Sequence, residues 1–541
     1  KPPHTAAADL VLRNGHVYTV DSAQPRATAV AIRDGRIIAV GTDGDVVVHI
    51  GPSTETIDLA GRAAYPGFKD SHAHLLQLGL LRLNIDLTDT RDFDEVIARV
   101  ARVARERPKG SWIIGRGWHE AKWSRASTDA VRGFPVHARL SAATPDHPVV
   151  LERADGHAVL ANAGAIEAMG ITRTTKAPSG GEIIHDAAGQ PTGVFVDRAA
   201  ELIRPPQPTA DMKRRAFDLV FAECLRAGVT MVDDAGVDLD TVALFKELGA
   251  ARRLPVRVYL MLDGIGALRA FQRPEIGLAN GFLTIRAVKL YADGALGSRG
   301  AALLEPYADD PGNTGLILTP PAELEKAVRL AVARGFQVAT HAIGDRGNRL
   351  VLDLYEHELA RAGGGDRRLR IEHAQVLDAA DIPRFARLGV IPSMQAIHAT
   401  SDRPWAVDRI GLARVKEGAY AWRKLLASGV RIANGTDAPV EPLDPIRNFY
   451  AAVTRMDEHG RPPGGFDPEE RMTREEALRS LTLDGAFASF HEHELGSIAV
   501  GKYADIVVLS SDIMSVPERR ILDARVVYTV VGGKVSYRAE K

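Results

Sequence analysis

The chain has 541 residues, of which 45% are apolar and 25% are charged, with 50 Gly and 30 Pro. This composition is typical of a soluble globular protein and excludes a fibrous or disordered one, and the length allows one barrel of roughly 250 residues with large additions or two to four ordinary domains. The 68 Lys and Arg residues balance 69 Asp and Glu residues, so no net charge attracts nucleic acid or an anionic membrane.

Cysteine content and hydropathy exclude two further classes of protein. The single cysteine, Cys224, excludes an intrachain disulfide, and its helical surroundings predict a buried structural thiol. No apolar stretch reaches the roughly 20 residues that cross a bilayer, and no signal-peptide core is present. We expect a soluble protein of the cytoplasm or the periplasm, because the first residue, Lys1, fits both a mature exported chain and a shortened one.

Both ends of the chain consist of short β segments. Residues 9–50 contain DLVLRNGHVYTV and AVAIRDGRIIAVG, which alternate with a period near two and break at Asn-Gly and Asp-Gly turns. Residues 501–538 return to the same pattern with GKYADIVVLSSD and ARVVYTVVGGKVSYR. The sequence therefore predicts one small composite β-sandwich built from residues 1–62 and 490–541.

Between these ends, residues 63–489 alternate strand and helix, which predicts a parallel sheet with helical crossovers. The eight candidate strands span residues 63–72, 228–236, 255–264, 283–294, 336–345, 369–375, 389–395 and 429–439. Because eight strands close a barrel, the predicted fold is a (β/α)8 TIM-like barrel. Residues 108–208 interrupt it after the first strand, and a stretch of that length predicts an inserted subdomain, since a structureless loop would be implausible.

The end of the first candidate strand carries two histidines in DSHAHLL. His72 and His74 are two residues apart, so from an extended backbone both imidazoles can point toward one metal ion. The alternative is that the pair is ordinary polar surface. Further candidate ligands at other strand ends favour a metal site: His341 in VATHAIGD, His373 in RIEHAQ and Asp437 in ANGTDAP. The carboxyl ends of barrel strands meet at one mouth, where barrel enzymes place their active sites.

Lys289 interrupts the apolar fourth strand in IRAVKLYAD, where an unpaired ammonium would be costly to bury. An ammonium has no lone pair for a metal, but addition of CO2 would produce a carbamate with two oxygens that could bridge two cations. The alternative is an inward-facing lysine paired with Asp293 or Asp437. The residues alone leave both possibilities open.

These segments together resemble the amidohydrolase superfamily, in the YtcJ-like branch. The resemblance spans nearly the whole chain and is carried by PGFKDSHAH, GRGWHEAKW, DGHAVLAN, KLYADGALGSRGA, THAIGDRGN, RIEHAQ and NGTDAP. It implies a composite barrel with a β-sandwich, one or two divalent metal ions such as zinc, a carboxylated lysine and hydrolysis of a carbon–nitrogen bond other than a peptide bond. One departure is Lys69 in PGFKDSH, where the family usually has an apolar residue; we expect it to affect local packing and not the ligands.

The resemblance also implies a role for each candidate residue. His72 and His74 would bind the more buried metal ion with Asp437, Lys289 as a carbamate would bridge, and His341 and His373 would hold the second ion. Asp437 is the candidate proton shuttle between the attacking water and the leaving nitrogen. His157, in the inserted segment, is the candidate donor to the oxyanion, with a structural capping role as the alternative.

Four other residues have weaker interpretations. Trp118 and Trp123 are candidate walls of the substrate pocket, although aromatic residues in an insertion are more often core. Asp345 is a candidate substrate contact or a second-sphere partner of His341. Glu372 alternates away from His373 and is interpreted as structural.

The sequence therefore predicts a metal-dependent amidase or deacylase acting on a small molecule, with no nucleic-acid or membrane partner and with a homo-oligomer left open. A second hypothesis is hydrolysis of a cyclic amide, a lactone or an amino-purine by the same metal centre. A third is a binding protein on a degenerate barrel. The third predicts lost ligands, whereas all six candidates are present.

Overall fold

A computed structural model describes residues 7–540 of the chain. Its central sheet contains eight parallel strands in which neighbours along the chain are neighbours in space. These barrel strands are Phe68–Ala73, Val229–Val237, Arg257–Asp263, Leu283–Tyr291, Gln337–Ala342, Arg370–His373, Ile391–Met394 and Ala433–Asn434. The predicted TIM-like barrel is confirmed as a nearly closed parallel sheet, and one short strand, Glu275–Gly277, pairs antiparallel with the fourth barrel strand.

The last barrel strand returns to the first through a close backbone contact. The backbone N–H of Asp437 donates to the carbonyl of His72 at 2.7 Å. Gly435 lies so near the first strand that an added Cβ would be 2.5 Å from the His72 nitrogen. This approach requires glycine, and it brings Asp437 next to the His72 and His74 segment.

The first predicted barrel strand is divided between two sheets. Residues 63–72 were expected to be continuous, but Ala63–Pro66 pairs with strands of the terminal region and only Phe68–Ala73 belongs to the barrel. The two parts separate at Gly67, whose N–H donates to the carbonyl of Asp505. An added Cβ on Gly67 would lie 2.2 Å from the Thr230 side chain. The position where the chain passes from one sheet to the other therefore requires glycine.

Helices follow the barrel strands as crossovers. The main ones are Leu75–Leu83, Phe93–Glu106, Ala210–Arg226, Leu239–Ala250, Gly264–Leu268, Pro321–Ala333, Asp345–Ala362, Ile382–Leu388, Ala396–Gly418, Trp422–Ala427, Pro445–Thr454, Arg474–Ser480 and Leu483–Ala488. Most of their apolar faces pack on the outside of the sheet and form the largest core of the molecule. Phe93–Glu106 packs instead in the core of the inserted region, and Leu483–Ala488 contributes to two smaller clusters. Short helices also occur at Asp43–Val46, Ala138–Ala143, Ala163–Ala168 and Leu278–Gly281.

The two ends of the chain contribute to two further sheets. A four-stranded sheet contains Arg36–Gly41, Ala29–Arg33, Leu10–Arg13 and Glu55–Asp58, in that order. A six-stranded sheet contains Lys534–Arg538, Val526–Val531, Ile506–Leu509, Ala63–Pro66, His16–Tyr18 and Arg26–Ala27. Leu12, Ile32 and Val508 meet in one apolar cluster. The domain boundaries proposed from sequence stay a prediction, and residues 1–6 and 541 lie outside the described part.

The region between the first and second barrel strands contains its own sheet. Six strands follow the order Gly181–His185, Pro191–Asp197, Ala158–Ala161, Val149–Arg153, Ile113–Trp118 and Ile85–Asp86. Two separate apolar clusters cover its faces. This sheet brings His157, together with Arg116, His119 and Lys122, to the cavity at the barrel mouth.

Two observations concern the chain as a whole. Cys224 is buried in the helix Ala210–Arg226, and burial raises the pKa of its thiol well above the usual value, as expected for a structural cysteine. Among residues 7–540, no helix is both long and apolar enough to span a membrane.

Candidate metal centre

A cavity of about 190 Å³ opens at the carboxyl ends of the barrel strands. Side chains from five barrel positions and from the inserted region line it, and the candidates among them are His74, His157, Lys289, His341, His373 and Asp437. His72 is completely buried beneath them and contacts both Lys289 and Asp437. The structure therefore brings together all six residues proposed as ligands, with His157 beside them.

The first strand and the end of the eighth form the tightest group. Asp437 Oδ1 lies 3.0 Å from His74 Nε2 and 3.5 Å from His72 Nε2. One donor atom from each of the three side chains falls within 4.8 Å of the others. This spacing suits three ligands of one ion.

Hydrogen bonds on the opposite ring nitrogens orient these histidines. His72 Nδ1 lies 2.5 Å from Glu372 Oε2, and His74 Nδ1 lies 2.9 Å from the carbonyl oxygen of Ala235. Since both partners are acceptors, each Nδ1 carries a hydrogen, so each Nε2 can offer a lone pair when a metal ion lies between it and Asp437. A metal ion requires this tautomer when it binds Nε2.

His341 and His373 form the other side of the centre, with ring centroids 4.6 Å apart. His373 Nδ1 lies 2.7 Å from Gln395 Oε1, which leaves Nε2 free, whereas His341 Nε2 lies 3.4 Å from the carbonyl oxygen of Gly294, which leaves Nδ1 free. Burial holds the pKa of both imidazoles well below the usual value. Both rings are therefore neutral at physiological pH, as ligands must be.

Lys289 is 1% exposed, and its Nζ lies 3.1 Å from His72 Nε2. Within residues 7–540 it forms no ion pair: Asp437 pairs with histidines, and Asp293 accepts the backbone N–H groups of Ala302, Ile343 and Gly344. Burial lowers the pKa of Lys289 to about 8, although Glu372 and Asp437 raise it in part. The alternative of a lysine paired with Asp293 or Asp437 therefore finds no support in the geometry.

Asp437 adopts a backbone conformation that non-glycine residues rarely take, with φ of 59°. His373 and Ala374, at the end of the sixth strand, also have positive φ values, of 75° and 43°. Such conformations occur where the surrounding structure imposes them, often at functional sites. Burial raises the pKa of Asp437, but the hydrogen bond with His74 and the neighbouring His72 and His373 hold it well below the usual range, so the side chain is a carboxylate.

The donor set fits a divalent metal ion. Neutral imidazoles with free lone pairs and a carboxylate are the ligands that zinc and related ions bind. Two overlapping groups have suitable spacing, namely His72, His74 and Asp437, and His373, His398 and Asp437.

Comparison with known proteins agrees with this geometry. The sequence profile of the amidohydrolase family matches residues 55–537. The chain belongs to the amidohydrolase family. It is 33% identical to the putative amidohydrolase YtcJ of Bacillus subtilis, over 97% of this chain and 99% of the relative, and 29% identical to N-substituted formamide deformylase of Arthrobacter pascens, over 98% and 99%. A metal-dependent hydrolase from Pyrococcus horikoshii has a similar structure, with a TM-score of 0.75 and 27% identity over 94% of this chain and 99% of that one. The protein is thus an enzyme of the YtcJ-like amidohydrolase branch.

Beneath the ligands of this amidohydrolase lies a chain of buried charges that sequence analysis missed. Lys69 contacts Asp233, Asp233 lies 2.7 Å from Arg370, and Arg370 lies 2.7 Å from Glu372. Glu372 contacts His72, so the chain ends at a candidate ligand. Burial raises the pKa of Glu372, but Arg370 and His72 hold it well below the usual range, so it is a carboxylate.

Glu372 provides a test of how the ligands are oriented. Glu372→Gln removes the charge that holds Nδ1–H of His72, and such changes typically weaken metal binding by roughly 10- to 100-fold. We expect this loss in chelator competition for zinc. Glu470→Gln is the matched control, because Glu470 is a buried carboxylate paired with Lys424 away from the centre. It should lower Tm without changing zinc affinity, and an equal loss of zinc affinity in both variants would contradict an orienting role for Glu372.

His398 is a second residue that sequence analysis missed. It lies in the first turn of the helix Ala396–Gly418, directly after the seventh strand, and is 7% exposed. Its Nε2 is 3.7 Å from Asp437 Oδ2. The only signal in the sequence is a histidine four residues after a barrel strand, which the ligand count did not require.

The remaining predicted contacts lie in different surroundings. Trp118 is fully buried in the core of the inserted region, where its indole donates to the carbonyl of Leu151, and Trp123 packs against the same core. Neither lines the cavity, whose aromatic side chains include Tyr291, His119 and Trp405. The ring centroids of His119 and Trp405 are 5.7 Å apart. Asp345 begins the helix Asp345–Ala362 and accepts backbone N–H groups, so its position indicates packing beside the site instead of a substrate contact.

Proposed function

We propose that this enzyme hydrolyses an amide-type, non-peptide carbon–nitrogen bond of a small molecule at a centre of one or two divalent metal ions, zinc being the best candidate. The observation that carries the proposal is the convergence of four histidines, one carboxylate and a buried lysine without an ion-pair partner among residues 7–540 on one cavity. The cavity of about 190 Å³ suits a small substrate. The deformylase from Arthrobacter pascens, by its name, acts on N-substituted formamides, which have such a bond.

The ligands divide into two sets. We assign His72, His74 and Asp437 to the more buried ion and His341 with His373 to the other. Lys289 would bridge both sets after reaction with CO2, because a carbamate turns a buried cation into an anion with two oxygens. When bound, a divalent ion lowers the pKa of water to roughly 7 and polarises a carbonyl.

Asp437 would move the proton. Its carboxylate takes a proton from the attacking water while the water oxygen bonds to the carbonyl carbon, and it then delivers that proton to the leaving nitrogen as the carbon–nitrogen bond breaks. One O–H bond and one C–N bond break, and one C–O bond and one N–H bond form. The product is a carboxylic acid, which is formate when the substrate is a formamide, and an amine.

His157 would bind the carbonyl oxygen as negative charge develops on it. Its Nδ1 lies 2.7 Å from Asp197 Oδ1, so its Nε2 is available, and its ring centroid lies 5.2 Å from that of His341. The carboxylate of Asp197 fixes the ring, in the way that carboxylates orient catalytic histidines elsewhere. This position at the cavity wall favours the catalytic interpretation over a capping role.

A metal and substrate assay tests the proposal. After zinc repletion, elemental analysis should find one to two ions per chain, and a panel of N-alkylformamides, acetamides, lactams and lactones should yield amine release from the open-chain amides first. His72→Ala and His74→Ala should each lose metal together with activity. Less than about half an ion per chain, or turnover of only lactones, would contradict the proposed function.

A further inference from the structure

His398 has the features of a residue that binds a ligand. It is 7% exposed, lines the cavity, and its Nε2 is buried with no hydrogen-bond partner among the described residues. A buried ring nitrogen without a partner is rare in folded proteins and requires an explanation. Its ring is nearly parallel to that of His373, with centroids 6.1 Å apart, so it lies beside the candidate ligands.

The unpartnered nitrogen faces the second oxygen of Asp437. The distance between His398 Nε2 and Asp437 Oδ2 is 3.7 Å, too long for a direct hydrogen bond. Oδ1 of the same carboxylate is engaged by His74, whereas Oδ2 accepts no hydrogen bond from any of residues 7–540. An oxygen atom at about 2.8 Å from both atoms would satisfy each of them.

The charge of Asp437 determines which tautomer His398 adopts. The Nδ1 atoms of His72 and His74 face acceptors and carry the hydrogen, whereas His398 Nδ1 has no acceptor among residues 7–540. The hydrogen of His398 can therefore lie at Nε2, where the carboxylate of Asp437 attracts an N–H. His398 is therefore a hydrogen-bond donor at Nε2. An atom placed between the two must accept from His398 and give a proton to Asp437, and a water molecule does both.

We infer that His398 is a catalytic residue that donates a hydrogen bond from Nε2 to the attacking water, the same water whose proton Asp437 takes. The inference rests on the proposed function. The donor fixes the oxygen opposite the carboxylate before attack and remains bonded to it when the oxygen joins the carbonyl carbon. No proton leaves His398, so the balance of the reaction is unchanged.

The competing role is that of a metal ligand, because His373, His398 and Asp437 have atoms spaced for one ion. The two roles require different protonation of His398 Nε2. A ligand needs a lone pair at Nε2, whereas the proposed donor needs a hydrogen there. Gln places an amide NH2 near the position of Nε2, and Asn places one near Nδ1, so the pair His398→Gln and His398→Asn separates a donor at the correct position from a donor at the wrong one.

The experiment uses the zinc-repleted full chain and three measurements. Zinc affinity of both variants should stay within about threefold of the parent enzyme, since no ligand is lost. Binding of methylphosphonate, a tetrahedral anion that presents an oxygen to this position, should weaken by roughly 10- to 100-fold in His398→Asn and by far less in His398→Gln. With the best amide substrate, kcat should fall by roughly 100- to 1,000-fold in the Asn variant and recover in part in the Gln variant.

His147→Gln is the control for replacing a buried histidine, because His147 lies in the inserted region and contacts the carbonyl of Ser111; its zinc and methylphosphonate binding should match the parent. Loss of zinc in both His398 variants would assign a ligand role and overturn the inference. So would equal methylphosphonate binding in the Asn, Gln and parent proteins. Neither readout needs a turned-over substrate, so a failure of the proposed amidase function can be told apart from a failure of this role.

Discussion

Lys289→Ala should abolish turnover, and formate or acetate should restore part of it. The substitution removes a side chain that would carry two metal-bridging oxygens, and it leaves a space beside His72 Nε2, which Lys289 Nζ approaches to 3.1 Å. A small carboxylate in that space supplies the missing anion and offsets the repulsion between two cations. The measurement is kcat with increasing formate, together with zinc content, which should fall to one ion per chain or less and rise with the carboxylate.

Two further variants test whether the restoration of activity by carboxylates depends on the space left by the Lys289 side chain. Lys289→Met keeps the side chain long and uncharged, so the space stays filled and no carboxylate should restore activity. Lys289→Arg keeps the positive charge and cannot form a carbamate under these conditions, so it should also resist rescue. The parent enzyme exposed to 13C-bicarbonate should show a carbamate carbon by NMR that both variants lack.

The bridging role would be wrong if Lys289→Ala retained metal and turnover close to those of the parent enzyme. It would also be wrong if the parent, with both ions bound, held a plain ammonium at this position. In either case the buried, unpaired lysine would need another explanation, and a single-ion centre would be favoured.

The grouping of the candidate ligands at one end of the barrel was predictable from sequence, because the fold places every strand in the same direction. In a parallel barrel every carboxyl end reaches the same mouth, so His72, Lys289, His341, His373 and Asp437 could be assigned to one cavity from strand order alone. The structure does bring them together. The division of the first strand at Gly67 was not predictable, since residues 63–72 read as one continuous strand and the change of sheet depends on partners far along the chain.

Side-chain direction was predictable only where backbone geometry is regular. Glu372 was assigned to the face opposite His373 by strict alternation, yet it contacts His72 while His373 lines the cavity. The reason is the positive φ of His373, which departs from strand geometry at that residue. Lys69 was expected to affect local packing alone, but through Asp233 and Arg370 it belongs to the buried charges that end at Glu372.

Asp437→Asn should lower turnover by a factor of roughly 100 to 10,000 with little change in fold, because it removes the proton acceptor and keeps the shape. The backbone at residue 437 has φ of 59°, a conformation that Asn tolerates better than most residues, and the N–H that bonds to the His72 carbonyl is unchanged. Asn also keeps one carbonyl oxygen near His74, so most of the zinc should remain.

The measurements are kcat, zinc content and Tm of the same preparation, with Asp437→Ala as the comparison. The Ala variant loses the ligand oxygen as well as the proton acceptor and should lose zinc together with activity, whereas the Asn variant should separate the two. If Asp437→Asn lowers kcat less than tenfold while zinc is retained, another group takes the proton. His398 Nε2 lies 3.7 Å from the second carboxylate oxygen, so a double variant with His398→Gln would then test whether that ring takes the proton.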